Sequence, residues 1–179
     1  MNTMKRAWLL MISLMLLIAA FPAIGEAASP PPPMTWDTFD PALEPLGPLT
    51  LGMPEQEIKA QLGEPETAGT PELWGADGLL HWTLAYPAQG LSLDLAGTSA
   101  GEGTLYAIHA AAPCALATAR GLAIGSPRDT VLTLYAGLIN PEWDEQASGS
   151  ILIGTIFGGI MIGIENGLVS SLYIGAMAE

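Results

Sequence analysis

The sequence predicts an α+β fold. We expect two tandem units, each a helix followed by a three-strand antiparallel meander, to form one continuous sheet with both helices on one side. Three observations support this prediction. The segment LTLGMP at residues 49–54 is echoed by LAIGSP at residues 122–127. A proline suited to the first position of a helix ends each segment. Strand-like runs separated by glycine turns follow each helical stretch.

The helical pattern is clearest in the second unit. Ser126 suits the N-cap position because its hydroxyl can accept a hydrogen bond from a free backbone N–H of the first turn. Apolar residues then recur at helical spacing over residues 127–138. They are Val131, Leu134, Tyr135 and Leu138. In the first unit Met53 stands at the capping position and cannot accept such a bond, so the sequence predicts a frayed start to that helix.

The strand-like runs differ between the two units. Residues 80–86 and 91–95 alternate, with leucine and aromatic side chains on one face, and residues 105–110 form the third run. One face of the first meander should therefore contact solvent. Residues 151–157 and 160–164 are apolar at most positions, which indicates burial on both faces.

These patterns define the domain organisation. Residues 1–27 predict a secretory signal peptide, with a basic start, an apolar core and a small-residue cleavage site. An uncleaved anchor is disfavoured because the apolar run is shorter than the ~20 residues of a spanning helix. Residues 28–48 predict a proline-rich linker. Residues 49–110 and 122–179 are the two repeat units, and residues 111–121 connect them. The expected location is secreted or cell envelope, with no stable membrane span after cleavage.

The chain is strongly acidic, with a net charge of −13 at pH 7. Nucleic acids and anionic membranes attract positive charge, so neither is an expected partner. The basic residues beyond the signal are Lys59, Arg120 and Arg128, and such a surface favours a basic partner. Cys114 is the single cysteine, which excludes an internal disulfide. We expect a buried thiol, with an intermolecular bridge or a nucleophile as the alternatives.

The sequence predicts no cofactor, metal or catalytic site. His81 and His109 lack the companion ligands of a zinc site and are expected to be surface or hydrogen-bonded residues. The acidic run at residues 142–145 allows a weak Ca²⁺ site, but its spacing is not that of a calcium loop, and a solvated loop is the default. Asp94 is expected to be exposed and could belong to a carboxylate pair.

Four aromatic residues are the candidate binding residues: Trp74, Trp82, Tyr86 and Trp143. They lie on strands and loops predicted to line one sheet face. Core packing is the favoured alternative for Trp82 and Tyr86. Trp74 and Trp143 occupy corresponding loops of the two units, and tryptophan is enriched at the energetic centres of protein interfaces. These two are therefore the leading candidates.

Glycine and core positions also carry a resemblance to known proteins. The motifs are GLAIG, a helix ending in LYAG, GIMIGI and NGLVSSL. This pattern resembles the tandem helix-plus-meander units of secreted β-lactamase-inhibitor-like proteins and small outer-membrane assembly lipoproteins. It resembles more closely uncharacterised secreted proteins of Gram-positive bacteria, over about residues 46–179. The resemblance implies protein binding on the exposed sheet face. The chain lacks the disulfides of the inhibitor proteins and the lipidated cysteine of the assembly proteins.

The sequence as a whole predicts a secreted, non-enzymatic module that binds a protein or cell-surface component whose identity it does not reveal. One alternative is a small extracellular hydrolase that uses Asp94 and acidic residues of the loop at 142–145. A carboxylate pair within ~5–10 Å in a cleft would favour this alternative. The other alternative is a structural envelope protein.

Overall fold

Eight strands form one antiparallel sheet, accompanied by few helices. The structure, a computed structural model, describes residues 33–178. The predicted signal peptide lies outside these residues. The strands are β1 (Thr67–Ala68), β2 (Glu72–Leu73), β3 (Leu80–Tyr86), β4 (Leu91–Gly97), β5 (Thr104–Ala111), β6 (Ser150–Thr155), β7 (Gly158–Glu165) and β8 (Leu168–Gly175). The helices are α1 (Glu55–Leu62), α2 (Arg128–Leu134) and α3 (Glu145–Ser148), besides three short 3-10 turns.

The strand order is β1-β3-β4-β5-β8-β7-β6, and β2 also pairs with β3. β3, β4 and β5 form one meander, and β6, β7 and β8 form another. The two meanders join where β5 pairs with β8, with Ile108 opposite Ile174 and Ala110 opposite Leu172. The predicted α+β class and the continuous antiparallel sheet are confirmed.

One face of the sheet carries the hydrophobic core. Alternate residues of β3 and β4 point into it, because successive strand side chains point to opposite faces. Leu84, Leu93 and Ile162 are fully buried there, and Ile58 of α1 and Val131 of α2 belong to the same hydrophobic cluster. The sequence predicted burial on both faces for two strands of the second half. The residues of β6 are nearly all buried, whereas several residues of β7 are partly exposed.

Both α1 and α2 start at a corner held by a distant strand. Gly52 and Gly125 adopt positive φ angles of 84° and 83° at these corners, a region that favours glycine. The first corner has hydrogen bonds from Gly52 N–H to Leu105 O, Leu105 N–H to Met53 O, and Glu55 N–H to Gly103 O. The second corner has hydrogen bonds from Gly125 N–H to Val169 O, Val169 N–H to Ser126 O, and Arg128 N–H to Gly167 O.

The predicted capping role of Ser126 is wrong. α2 begins at Arg128 after Pro127, and the Ser126 hydroxyl instead accepts a bond from Ala123 N–H at 3.1 Å. The carbonyl groups of Gly103 and Gly167, just before β5 and β8, each satisfy a free N–H that a capping side chain would otherwise satisfy. Met53 in place of serine therefore gives no reason for the first helix to fray.

Part of the predicted linker belongs to the fold. The compact unit begins at Pro33, and Phe39, Glu44 and Leu46 are buried within it. The Leu46 backbone pairs with Thr118, which ties this segment to the chain between the two meanders. The proline content of residues 28–48 concealed these buried positions.

Two further features follow from the described residues. Cys114 is a buried free thiol, in agreement with the favoured expectation. Across residues 33–178, no helix combines the length and apolar character needed to cross a membrane.

Candidate functional site

The sheet face opposite the core carries polar and aromatic side chains. We call it the open face and define it by Thr83, Asp94, His109 and Tyr173. Thr83 lies opposite Asp94 on neighbouring strands, and His109 lies opposite Tyr173 at the β5–β8 junction. All four residues are at least partly exposed to solvent. The central strands therefore present functional groups to solvent on this face.

A cavity of about 560 Å³ lies at the β3 side of the open face, and we call it the first cavity. Aromatic rings and carboxylates dominate its lining, which includes Glu72, Trp74, His81, Asp94, Tyr106 and Tyr173. None of its described lining residues is a lysine or an arginine. The site therefore combines flat apolar surfaces with negative charge.

Trp74 and His81 form a stacked pair in this cavity. Their ring centroids are 3.8 Å apart with an interplanar angle of 7°. The Tyr106 ring meets His81 edge-on, at 5.2 Å between centroids. His81 is 5% exposed, whereas Trp74 is 42% exposed. The stack thus buries the imidazole and leaves the indole accessible to a ligand.

Asp77 fixes the proton position on His81. Its Oδ2 lies 2.8 Å from His81 Nε2. The hydrogen bond from the Leu79 backbone N–H, with a further one from His81, holds the pKa of Asp77 below its ordinary value. An ionised carboxylate only accepts hydrogen bonds, so His81 Nε2 carries the proton that is donated to Asp77.

The Nδ1 atom of His81 is buried and has no hydrogen-bond partner among the described residues. A buried polar atom without a hydrogen bond costs about 1–3 kcal/mol. Buried polar groups in folded proteins are usually satisfied by protein, water or ligand. His81 is therefore a lining residue of the first cavity with an unsatisfied ring nitrogen.

Asp94 is another lining residue of the first cavity. Its carboxylate accepts a bond from the Thr83 hydroxyl at 2.7 Å and lies 3.2 Å from His109 Nε2. Burial raises the pKa of Asp94, but the hydrogen bonds with His109 and Thr83 outweigh it and leave the pKa below the ordinary value. Asp94 is therefore negatively charged at neutral pH. The expectation of full exposure is corrected, since the carboxylate is half-buried.

The basic side chains of the described residues lie in ion pairs outside the first cavity. Their contacts are Lys59 with Glu55 at 2.7 Å, Arg120 with Glu44 at 3.0 Å and Arg128 with Glu145 at 2.5 Å. The Arg128 guanidinium lowers the pKa of Glu145. No lysine or arginine of residues 33–178 is therefore left to neutralise the cavity carboxylates.

Two other depressions differ from the first cavity in chemistry. A second cavity of about 580 Å³ shares Tyr173 with the first and is lined mainly by small and hydroxyl residues, with His109 at its edge. A third, of about 360 Å³, lies between Trp36, Trp143 and Phe157 and is mostly apolar. Only the first cavity joins an exposed tryptophan to buried polar groups.

The predicted binding residues fall in three places. Trp74 lines the first cavity. Trp143 donates from Nε1 to the Ser150 hydroxyl at 3.2 Å and lines the third cavity instead. Trp82 and Tyr86 belong to the hydrophobic core, and Trp82 also lines the first cavity. The four residues do not line one common surface, because Trp74 and Trp82 line the first cavity, Trp143 lines the third, and Tyr86 lines neither.

Several residues of the first cavity had no predicted binding role. Tyr173 alternates with the core residues Leu172 and Ile174, and this period was visible in the sequence. Tyr106 lies at a register shift in the β4–β5 pairing, between the pairs Asp94–Ala107 and Leu95–Leu105. No local sequence pattern predicts such a shift. The partnership between Asp77 and His81 depends on a loop conformation and carried no sequence signal.

The acidic residues proposed for hydrolysis do not share a cavity. Asp94 lines the first cavity and Glu142 the third. Asp144 accepts hydrogen bonds from two backbone N–H groups at the start of α3, and Glu145 pairs with Arg128. Within residues 33–178, no three histidine, cysteine, aspartate or glutamate side chains are grouped to hold a metal ion.

Comparisons with known proteins give no family or relative for this chain. Models of protein families, curated proteins and solved structures were each searched, and none matched. The resemblance to inhibitor-like and assembly proteins stays a prediction.

Proposed function

We propose that this protein is an extracytoplasmic, non-enzymatic module that binds a partner protein through the open face of its sheet. The observation that carries the proposal is the accessible Trp74 ring at the rim of the first cavity. Tryptophans that fill or border a concave site commonly contribute most of the binding energy of an interface. The location rests on the signal-like sequence of residues 1–27.

The proposal includes a duplicated architecture, with α1 and α2 on the core side of the sheet. The matching corners at Gly52 and Gly125 support it. The meanders also share a register shift, between Asp94 and Leu95 in one and between Gly163 and Ile164 in the other. Corresponding strand pairs are Leu93 with Ile108 and Ile162 with Leu172, then Leu95 with Leu105 and Ile164 with Val169.

Duplication would make the first and second cavities equivalent places in the two units. In that alignment Gly163 stands where Asp94 stands, and Ser170 stands where Tyr106 stands. The described lining of the second cavity includes Glu165, His109 and Tyr173 but no tryptophan. We therefore assign the binding role to the first cavity, where the exposed Trp74 stands beside Glu72 and Asp94.

Affinity capture tests the proposal. The full chain is immobilised and exposed to the extracytoplasmic fraction of its source cells, in parallel with Trp74→Ala and with Phe157→Ala. Phe157 is the matched control because it is an exposed aromatic residue that borders the third cavity. Loss of a tryptophan at an interface centre commonly costs ≥ 2 kcal/mol, or about 30-fold in affinity.

We expect Trp74→Ala to lose a specific partner without a change in melting temperature, and Phe157→Ala to retain it. Trp143→Ala should weaken capture less than Trp74→Ala, because its ring lines a different cavity. A partner that Trp74→Ala still captures in full, or that Phe157→Ala loses equally, would contradict the proposal.

A further inference from the structure

The charge of the first cavity favours a positive partner. Glu72 and Asp94 line it, and Asp77 lies behind His81. The lysine and arginine residues of the described chain are committed to glutamates elsewhere. Opposite charges inside a partly enclosed site attract more strongly than at an open surface, because water screens them less. A cationic group is therefore the complementary occupant.

The aromatic surface restricts the shape of that cation. His81 covers one face of the Trp74 indole, and the residue still exposes 42% of its area. Cations bind over aromatic faces, with tryptophan the strongest. A guanidinium group is planar and less strongly hydrated than an ammonium group, so it stacks on an indole more readily. This favours arginine over lysine.

The carboxylates that line the first cavity add a second requirement. Asp94 accepts hydrogen bonds without donating them, so the cavity favours a donor. A guanidinium offers five N–H donors in a planar arrangement, which can serve two carboxylate oxygens together. Ionised carboxylates and phosphates offer no such donor and would meet repulsion from Asp94.

We infer that the first cavity binds an arginine side chain of the partner protein, with its guanidinium stacked on Trp74 and hydrogen-bonded to the acidic wall. This inference rests on the proposed function and names the partner chemistry of the same site. The cavity, at about 560 Å³, exceeds one side chain and accommodates the peptide segment that carries the arginine.

The test uses the full chain and capped tripeptides. Acetyl-Gly-Arg-Gly-amide is titrated at low salt and followed by tryptophan fluorescence and calorimetry. The citrulline tripeptide is its uncharged match, and the Gly-Lys-Gly tripeptide separates arginine from lysine. We expect a Kd in the millimolar range for the arginine peptide, with citrulline at least about tenfold weaker and lysine about threefold weaker.

Variants locate the binding. Asp94→Asn and Glu72→Gln should each weaken the arginine peptide about fivefold, and added salt should weaken it further. Glu72 lies on an exposed strand, so its substitution does not threaten folding. Asp129→Asn is the control, because that carboxylate is exposed and outside the cavity. We expect it to bind as the unmodified chain does.

Equal affinity for the arginine and citrulline peptides would overturn the inference. So would absence of binding at ten millimolar peptide, or an equal loss in Asp129→Asn and in both cavity variants. Partner capture that still depends on Trp74, together with any of these results, would leave the binding module in place and remove only the arginine site. Capture that does not depend on Trp74 would contradict both the proposed binding module and the arginine site.

Discussion

Glu44 is the most deeply buried carboxylate for which the structure shows a cationic partner. Its side chain is 3% exposed. It accepts bonds from the Arg120 backbone N–H at 3.0 Å, from Arg120 Nε at 3.0 Å and from the Tyr135 hydroxyl at 2.9 Å. Thr118 shares the same hydroxyl. Substitution Arg120→Ala would leave this charge in the protein interior without its counter-ion.

The expected cost follows from the geometry. Removing one partner of a buried ion pair destabilises a protein by about 3–5 kcal/mol. The Arg120 side chain is 40% exposed, so water already weakens the attraction, and the backbone and Tyr135 donors remain. We therefore expect Arg120→Ala to lower the free energy of unfolding by about 2 kcal/mol. For a chain of this size, that lowers the melting temperature by about 4–8 °C.

Urea unfolding followed by tryptophan fluorescence measures this loss. Arg128→Ala is the matched control, because Arg128 and Glu145 form a close pair in which both side chains are about one-third exposed. Its loss should be under about 1 kcal/mol. Adding Glu44→Gln to Arg120→Ala should restore part of the stability by removing the buried charge. Equal losses for the two arginine variants, or no recovery in the double variant, would refute the reasoning.

Three further predictions concern the backbone, pH and the core. Gly125→Ala should cost about 1–2 kcal/mol from its positive φ alone, whereas Gly90→Ala should cost clearly more because a Cβ there would overlap Ala111 O; unfolding midpoints compare the two. The lowered pKa of Asp94 means that its stabilising contribution is present above the ordinary value of 3.8 and is lost as pH falls through the lowered value. Asp94→Asn should therefore flatten the stability curve below about pH 4, as measured by unfolding at stepped pH. Ile58→Ala, at a fully buried position, should destabilise the fold by about 2–5 kcal/mol in the same urea assay.

Local patterns predicted much of the fold. The glycine–proline corners and the alternating runs at β3 and β4 need only neighbouring residues to be recognised, and they led to the correct class and sheet. The capping role assigned to Ser126 was wrong because the carbonyl of Gly167, far along the chain, already faces the start of α2. Contacts of this kind form between distant parts of the chain and cannot be recognised in short sequence segments.

The candidate site was predictable only in part. Trp74, which was selected for its position in a loop between regular elements, is exposed and lines the first cavity, and its binding role stays a prediction. Its stacking on His81 depends on the pairing of β2 with β3, which involves only two residues of each strand. Such a short ladder cannot be predicted from sequence periodicity. Trp82 belongs to the hydrophobic core, as its position in an alternating strand indicated, and it also lines the first cavity.

The central position of β8 has a consequence for synthesis. This strand follows the other seven in chain order, yet it pairs with β5 in the middle of the sheet rather than at a margin. Until it is made, β5 presents unpaired backbone groups, a template for association with other chains. The first meander is therefore protected only after residues 168–175 have been synthesised, and loss of these residues would divide the sheet between its two meanders.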